Sequence, residues 1–564
     1  MSKIYGVGCH ELDTDGNGIV EFNGSKFKVP YLLDNEKAKI ELVFTKSKAE
    51  NGRGNRQKSG KAGKNTEVKN TAAKNAGENV QRAGGAKLIE LTKKSEDRVE
   101  PGCAVYGRCG GCTLLHASYE KQLSIKQNAC EKILGEYGQV SEIIGADEPY
   151  GYRHKVHVTF DQKDGRLVSG IYEESSHRVV PVKKCKIIDE DANRIINSVT
   201  KLLSDFKIKA YNEDTDTGLV RHLLIRKGYE TGEIMVVIVI ARSVFPGKNN
   251  FIKELMKIEP DITTVVFNVN NLATSMVLGP KFENGYGKGY ITDTCMGVSF
   301  RISPDSFFQV NPPQMKKLYA KALELAEIKE KDSVLDAYCG TGTITLLAAE
   351  KAGKVTGVEL NPDAVADAKE NLNYNLKNTD VIKARVEFIA DDAGEYLVET
   401  AQDKKSAVDV VIMDPPRSGA SEEFLESVLE VAPERVVYVS CNPYTLADNL
   451  KVLTKGYTVK EIRPVDMFPC TSKVEVVCML VKGAGKQSVA RKDEARKDVA
   501  RKDVARKDVA RKEVVRKEVA RKDVASKEVV RKDVARKDST RKTPPRKWKA
   551  PKRAGSSKPS GSGS

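Results

Sequence analysis

Two residues in the last third of the sequence have side chains suited to covalent catalysis. Cys441 directly follows the apolar run RVVYVS, and Glu475 stands in SKVEVVCML, where it enters an otherwise apolar strand. A thiolate is a strong nucleophile, and a carboxylate in apolar surroundings is a suitable general base. All six His precede residue 223, so no neighbouring His competes for the role of base. The pattern indicates Cys441 as nucleophile and Glu475 as base. The rival thiols are Cys339, Cys470 and Cys478.

Four further cysteines have the spacing of metal ligands. Cys103, Cys109 and Cys112 form the pattern C-x5-C-G-G-C, and Cys185 follows in VKKCKII. Four thiolates suit either a [4Fe–4S] cluster or a structural zinc ion, and the spacing alone does not decide between them. The C-x3-C-x2-C spacing typical of radical chemistry is absent, which argues against a cluster-driven radical reaction.

A glycine-containing turn follows the predicted strand SVLDA. The run DAYCGTGT places Gly340 and Gly342 in this turn, and Glu359 ends the next strand, 19 residues after Gly340. At this spacing a carboxylate can bind both hydroxyls of a ribose. The third glycine of the dinucleotide fingerprint is missing, so a crevice for S-adenosylmethionine fits better than a nicotinamide site. Asp391 or Asp392, after the third strand, could meet the adenine amine, or could instead cap a helix.

The fourth strand of this region ends in the motif Asp414-Pro415-Pro416-Arg417. A similar motif followed by an aromatic residue is typical of enzymes that methylate an exocyclic amine of a flipped base, and Arg417 is not aromatic. The motif therefore favours methylation of carbon. Carbon 5 of uracil becomes nucleophilic once a thiolate has added to carbon 6, and a base must later remove the proton on carbon 5 so that the thiolate leaves.

Hydropathy patterns divide the chain into four parts. Residues 1–97 have the short alternating strands of a small β module, with a Lys-rich insertion at 45–86 that we expect to be flexible. Residues 98–295 contain further strands of a central α+β module. In residues 296–482 strands alternate with helices, which predicts a Rossmann-like α/β domain with a parallel sheet. Residues 483–564 repeat a V-A-R-K-D unit that builds no apolar stripe, so they form a polar helix or a disordered arm.

The net charge of +16 is concentrated in two segments. The tail 483–564 carries +17 and the insertion 45–86 carries +7, so the remainder is mildly acidic. Dense basic segments suit contact with the phosphate backbone of a nucleic acid, and a solvated spacer is the alternative for the tail. The longest apolar run, 234–241, is far shorter than the roughly 20 residues that cross a bilayer, and the first residues lack a signal peptide core. We expect a cytoplasmic protein without membrane contact.

Together these motifs resemble the RNA uracil-5-methyltransferases, and among them the bacterial branch that acts on 23S ribosomal RNA. The resemblance covers roughly residues 1–482 apart from the insertion. It rests on SFFQVN (306–311), DAYCGTGT, DPPR, SCNP, KVEVV and the strand end at Glu359. The family usually has FPHTxHVE before the base. This chain has FPCTSKVE, so that Cys470 and Lys473 replace two His.

The resemblance implies a role for each matched residue. Cys441 is the nucleophile and Glu475 the base. S-adenosylmethionine is bound by Gln309, Tyr338, Glu359 and Asp414. A [4Fe–4S] cluster is bound by Cys103, Cys109, Cys112 and Cys185. The resemblance also implies a β-barrel RNA-binding module of the TRAM type, similar to an OB fold, in residues 1–97, and a helix after the cluster motif that packs on the catalytic domain.

We therefore expect a class I S-adenosylmethionine-dependent methyltransferase, cytoplasmic and monomeric, that methylates carbon 5 of a uridine in 23S ribosomal RNA through a covalent adduct with Cys441. Candidate phosphate contacts in the central module are Tyr152, Arg153, Lys155, Arg221 and Arg226. Two alternatives are the same reaction on tRNA, and a noncatalytic RNA-binding or ribosome-assembly factor that retains the site.

Overall fold

The computed structural model describes residues 4–44, 83–173, 176–272, 274, 276–402 and 408–483. Most of the Lys-rich insertion and all of the repeat tail after Gly483 lie outside the described residues, so what the sequence indicates for them stays a prediction. No helix in the described ranges combines the length and the apolar character that a bilayer crossing needs.

Residues 4–44 and 83–93 form an antiparallel sheet with the strand order β3-β2-β1-β4-β5. Its strands are β1 (Ile4–Leu12), β2 (Gly18–Phe22), β3 (Ser25–Val29), β4 (Lys37–Phe44) and β5 (Ala83–Lys93). Alternate residues point to one side, where Cys9, Val20 and Ile40 are buried, and the edge strands β3 and β5 contact each other. β5 begins inside the predicted insertion, whose last four residues therefore belong to a strand. The TRAM-type barrel stays a prediction.

Residues 94–118 form a loop that contains Cys103, Cys109 and Cys112, here called the cysteine loop. The helix α1 (Tyr119–Leu134) connects the N-terminal sheet and this loop to the last third of the chain. Its buried Cys130 and Leu134 share a core with Ile462. Lys126 forms an ion pair with Asp466, and both side chains are completely buried. Glu36, which directly precedes β4 of the N-terminal sheet, binds the guanidinium of Arg98 near the start of the cysteine loop. A buried ion pair holds its partners in one arrangement, because either charge would be costly to bury alone.

The central module is built on a mixed sheet with the order β12-β11-β10-β9-β6-β7-β8. Its strands are β6 (Lys155–Lys163), β7 (Arg166–Tyr172), β8 (Val179–Pro181), β9 (Val220–Lys227), β10 (Ile234–Ile240), β11 (Ile262–Val269) and β12 (Lys281–Tyr286). The pairs are antiparallel apart from β10 with β11. Helices α2 (Glu190–Asp205) and α3 (Lys248–Ile258) cover one face. On the other face Leu224, Met235 and Val237 pack into the core of the α/β domain, so β10 is apolar throughout.

The α/β domain begins with the hairpin β13 (Ile291–Cys295) and β14 (Val298–Ile302), followed by helix α4 (Pro312–Ala326). Its sheet has the order β17-β16-β15-β18-β19-β21-β20. The strands are β15 (Ser333–Ala337), β16 (Lys354–Glu359), β17 (Arg385–Ala390), β18 (Val410–Met413), β19 (Arg435–Ser440), β20 (Tyr457–Val465) and β21 (Glu475–Lys482). The helices between them are α5 (Thr343–Ala348), α6 (Pro362–Asn378), α7 (Ala393–Gln402), α8 (Glu422–Val431) and α9 (Pro443–Leu453).

Strands β15 to β19 pair in parallel, as the alternating pattern predicts, but β21 is antiparallel to both β19 and β20. The prediction of a parallel sheet therefore does not hold for the last two strands. The connection 466–474 between them contains no helix, and a short connection of this kind reverses the chain direction. As a result, β21 starts at the edge of the sheet where the parallel strands end.

Candidate active site

The candidate catalytic and cofactor residues meet at one edge of the α/β sheet. Glu359 ends β16, Asp414 follows β18, and Cys441 follows β19. Glu475 is the first residue of β21. Ser440 pairs with Val476 in the antiparallel register, so the next step along both strands brings Cys441 opposite Glu475. The carboxyl ends of parallel strands form the usual ligand crevice of such sheets.

The turn after β15 leaves space for a ligand and fixes the carboxylate of Glu359. The Gly340 amide donates to Glu359 Oε2 (3.1 Å), and the Asn361 amide donates to Oε1 (2.9 Å). Gly340 has a φ of 55°, and a Cβ there would meet no atom within 4 Å. At Gly342 a Cβ would instead lie 2.6 Å from Phe388 Cζ, so this second glycine serves packing. The open cradle and the oriented carboxylate fit an adenosine cofactor.

The other residues assigned to the cofactor line the same region. Tyr338 has a φ of 65° and packs its ring against Phe424 (centroids 5.3 Å apart), and burial raises the pKa of Tyr338 to about 12. Gln309 is half-buried and lies beside the hydroxyl of Tyr319. Asp392 accepts hydrogen bonds from the amides of Gly394 (2.9 Å) and Glu395 (3.2 Å), so it caps α7. For Asp392 the helix-cap alternative is the one that the structure contains.

Cys441 lies in a strongly acidic environment. Burial raises the pKa of its thiol to about 11, and the negative charges of Glu475 and Asp414 add to this, whereas Arg417 lowers it. Burial also raises the pKa of Asp414 to about 7. Glu475 is 4% exposed, and burial together with Asp414 raises its pKa well above the usual range. The site therefore favours the protonated forms of the Cys441 thiol and the Glu475 carboxyl until a positive charge enters it.

The DPPR loop is held against the loop of the thiol. Asn442 Nδ2 donates to the carbonyl of Arg417 (3.3 Å), and the hydroxyl of Thr445 donates to the same oxygen (3.5 Å). Asn442 also caps α9 by accepting from the Tyr444 amide (3.2 Å). These contacts fix the position of Cys441, between β19 and α9, relative to Asp414.

Two residues in the site were not assigned a role from the sequence. Asp336 on β15 is buried, and its Oδ2 accepts from the Thr345 hydroxyl (2.6 Å), but its Oδ1 has no hydrogen-bond partner among the described residues. Burial raises the pKa of Asp336 to about 7, and the charges of Asp414 and Glu359 contribute. Tyr319 is a buried residue of α4 near Asp414 and Glu475. Asp336 could have been found from its place in DAYCGTGT, whereas Tyr319 has the sequence pattern of an ordinary core residue.

The four cysteines with metal-ligand spacing are neighbours in the structure. Cys103, Cys112 and Cys185 pack against the small core around Tyr152 and Cys470. The thiol of Cys109 contributes to the electrostatic environment of Cys112 and Cys185. Burial raises the pKa of the thiols of Cys109, Cys112 and Cys185. Within the described ranges, however, no group of three or more His, Cys, Asp or Glu side chains is close enough to hold a metal ion. Thiolate donors suit iron or zinc. In the structure the four cysteines are neighbours, but they are not close enough together to form a metal site.

Comparison with known proteins shows which families and relatives this chain resembles. The family described as tRNA (uracil-5-)-methyltransferase matches residues 118–483. An uncharacterised RNA methyltransferase of Oceanobacillus iheyensis is 39% identical over 486 residues, which are 85% of this chain and 96% of the relative. One of Clostridium acetobutylicum is 40% identical over 403 residues, or 70% of this chain and 86% of the relative. A family of histone H1-like nucleoproteins matches residues 458–562, most of which lie outside the described residues.

A solved structure is similar over most of the chain. It is the tRNA (uracil-54, C5)-methyltransferase of Pyrococcus abyssi in complex with S-adenosyl-L-homocysteine, with a TM-score of 0.62 and 25% identity. The match covers 85% of this chain and all of that one. The fold and the adenosine crevice define an S-adenosylmethionine-dependent RNA methyltransferase. Within that class, the chain belongs to the RNA uracil-5-methyltransferase family.

The acidic surroundings of Cys441 predict a pH dependence. Above pH about 7 the carboxylate of Asp414 is ionised and opposes formation of the thiolate. Asp414→Asn removes this charge, so we expect the thiol pKa to fall from about 11 and alkylation at pH 8 to become faster. The measurement is the rate of iodoacetamide labelling of the Cys441 peptide against pH, by mass spectrometry. Glu422→Gln, on the surface of α8, is the control, and an unchanged profile in Asp414→Asn would contradict the prediction.

Proposed function

We propose that this protein transfers a methyl group from S-adenosylmethionine to carbon 5 of a uridine in 23S ribosomal RNA, acting as a monomer in the cytoplasm. The observation that carries the proposal is the register of β19 and β21, which sets a thiol opposite a buried carboxyl group beside the adenosine crevice. A nucleophile and a base on two sides of one small pocket are what methylation of a pyrimidine carbon requires.

The proposed reaction assigns one step to each of the two residues. The thiolate of Cys441 adds to carbon 6 of the flipped uracil, and carbon 5 becomes the nucleophile that takes the methyl group. Carbon 5 then carries both a proton and a methyl group. Glu475 removes the proton, the double bond between carbons 5 and 6 forms again, and the thiolate of Cys441 leaves.

Bound S-adenosylmethionine supplies the electrophilic methyl group and a positive sulfonium charge. We assign the ribose hydroxyls to Glu359, because both of its oxygens are already oriented by amides of the two flanking loops. Gln309, Tyr338 and Asp414 complete the proposed cofactor site. Asp414 and Glu475 in their ionised forms would be stabilised by a cation in the pocket, and Arg417 acts in the same direction on Glu475.

The central module offers a cationic strip for the RNA backbone. Lys155 on β6 and Arg226 on β9 are cross-strand partners on the sheet face that turns toward the α/β domain, and Arg153 lies beside them. Burial and the charges of Arg226 and Arg153 lower the pKa of Lys155 to about 7. Arg226 is 3% exposed and donates to the carbonyl of Ser306, so it adds positive charge beneath the strip without being open to a phosphate. An approaching phosphate would satisfy this accumulated positive charge.

The other two candidate phosphate contacts are occupied within the protein. The Tyr152 hydroxyl donates to the carbonyl of Pro469 (3.0 Å). Arg221 donates to the carbonyls of Asn270 (3.1 Å) and Leu272 (2.9 Å) and pairs with Glu213. Arg226 is buried and bonded to the protein as well, so we restrict the proposed phosphate contacts of this module to Arg153 and Lys155.

Two appended parts complete the proposed RNA surface. The N-terminal sheet, which we interpret as a TRAM-type barrel, reaches the active site, where the Thr14 hydroxyl hydrogen-bonds Tyr444 in the first turn of α9. The basic tail is proposed as an arm for nonspecific RNA contact, in line with its charge and its likeness to a nucleoprotein family.

The identity of the RNA has two candidates. The four-cysteine set and the N-terminal module favour 23S ribosomal RNA, because the resemblance connects these features with that branch. The relative from Pyrococcus abyssi is described as a tRNA enzyme, and this makes tRNA the second candidate.

Methyl transfer should be seen on 23S RNA and should depend on Cys441. We expect labelled S-adenosylmethionine to mark carbon 5 of a uridine in unmodified 23S RNA, and Cys441→Ala to abolish the label because no adduct forms. Cys478→Ala, which removes a buried thiol elsewhere in the same sheet, should keep the activity. Label on tRNA alone would favour the second candidate. No label on either RNA would favour a noncatalytic RNA-binding factor.

The four-cysteine set should hold a [4Fe–4S] cluster in protein purified without oxygen. We expect brown protein with about four iron and four sulfide per chain, bound by Cys103, Cys109, Cys112 and Cys185. Cys112→Ser should lower the iron content and Cys130→Ser, which changes a buried thiol of α1, should not. Colourless protein that contains zinc would contradict the assignment.

The cationic strip should contribute to RNA affinity through charge. We expect Lys155→Gln to weaken binding and to reduce the slope of log affinity against log salt by about one. Lys201→Gln, an exposed lysine on α2 at the opposite face of the sheet, is the control. The measurement is RNA binding at several salt concentrations, and equal slopes for wild type and Lys155→Gln would remove Lys155 from the RNA surface.

A further inference from the structure

The segment Asp466–Cys470, between β20 and β21, has no regular secondary structure, yet each of its five carbonyls accepts a hydrogen bond from another part of the chain. The donors are Gln314 Nε2 to Asp466 (2.9 Å), Asn311 Nδ2 to Met467 (3.0 Å), Lys126 Nζ to Phe468 (3.0 Å), the Tyr152 hydroxyl to Pro469 (3.0 Å), and the amides of Thr113 and Leu114 to Cys470 (3.1 and 2.9 Å). They come from α4 and its cap, from α1, from the central module and from the cysteine loop.

The last residue of this segment, Cys470, forms hydrogen bonds through both its amide and its carbonyl. The Cys470 amide donates to Gln122 Oε1 (2.7 Å), and Gln122 Nε2 donates to the carbonyl of Ala117 (3.0 Å). Gln122 is 2% exposed and Cys470 is completely buried. Cys470 also has a φ of 69°, which is uncommon for a residue other than glycine and persists only where the surroundings hold it.

Glu475 follows this held turn after only four residues. The Ser472 amide donates to the Thr113 hydroxyl (2.9 Å), and Val474 is buried, so little freedom is left before β21 begins. Cys441, in contrast, is positioned by β19 and by the contacts of Asn442 with Arg417. Both residues depend on the pairing of β19 with β21, but the contacts that hold the chain just before Glu475 differ from those that hold the loop of Cys441.

We propose that Gln122 is a positioning residue which, by holding the Cys470 turn against the cysteine loop, aims Glu475 at the proton on carbon 5. This inference rests on the proposed function. Because the loop of Cys441 is held by Asn442 and Thr445 and not by Gln122, loss of Gln122 slows the removal of the proton and not the addition of the thiolate. The methylated adduct between RNA and protein then accumulates.

The test compares variants in labelled methyl transfer with a denaturing gel that separates free RNA from RNA attached to protein. Gln122→Met keeps the side-chain volume and leaves the buried Cys470 amide without an acceptor. We expect turnover to fall about tenfold to a hundredfold, as for a catalytic group displaced by up to about 1 Å, while label in the covalent complex rises. Gln122→Glu keeps the acceptor oxygen and should restore most of the turnover. Glu475→Gln is the positive control for the trapped complex.

The matched control is Gln127→Met on the same helix. Gln127 Oε1 accepts from the Ile143 amide (2.9 Å), so this variant removes a comparable hydrogen bond that does not reach the Cys470 turn. It should not accumulate the complex. Iron content and thermal unfolding of each variant show whether the cysteine loop and the fold are retained.

A second variant covers the case in which Gln122→Met does not fold. Tyr152→Phe removes the donor to the Pro469 carbonyl and keeps the ring, and it should trap the complex in the same way. If wild type forms neither product nor complex, the proposed function fails. If wild type is active and the folded variants lose label in product and complex equally, or lose neither, the positioning role is wrong.

Discussion

The short connection between β20 and β21 is the constraint on which the arrangement of the active site depends. Its backbone is irregular, and buried carbonyls without partners would be costly. These carbonyls are instead paired with donors from α1, α4, the central module and the cysteine loop. The ion pair of Lys126 with Asp466 anchors the beginning of the connection, since neither charge is tolerable there alone. Modules far apart in sequence therefore determine jointly where β21, and with it Glu475, begins.

The same edge of the sheet gathers three acidic side chains in apolar surroundings. Asp336, Asp414 and Glu475 all have raised pKa values because burial disfavours their ionised forms. Arg417 is a nearby positive group and is exposed. A pocket with this imbalance is complementary to a cation, and the sulfonium of S-adenosylmethionine is one. A cation bound at this edge would lower the pKa values of Asp414 and Glu475 and favour their ionised forms.

Local sequence patterns predicted the parts of the fold that depend on local physics. The strand ends at Glu359, Asp414 and Cys441 follow from apolar runs that stop at a polar residue or a thiol, and parallel strands bring such ends to one edge. The antiparallel course of β21 was not predicted, because it depends on the short connection from β20, a strand that the sequence pattern did not single out. Tyr319 was missed since a buried tyrosine on an amphipathic helix has the pattern of core packing. The six donors that converge on this connection lie more than 150 positions away from it in the chain, and a single sequence contains no signal for such contacts.

The departure of this chain from its family at residue 470 has a physical explanation in the same connection. The contacts that hold the turn use the backbone of residue 470, with its amide bound by Gln122 and its carbonyl bound by Thr113 and Leu114. The side chain contributes burial, and its thiol makes only a weak contact with the Pro149 carbonyl (3.7 Å). A His can therefore be exchanged for the smaller Cys while the turn is kept, because Gln122, Thr113 and Leu114 still hold the backbone of residue 470. Lys473 is exposed, so its exchange for His is a change at the surface. Neither exchange removes a hydrogen bond that positions Glu475, and for this reason the proposed base does not depend on the two missing His.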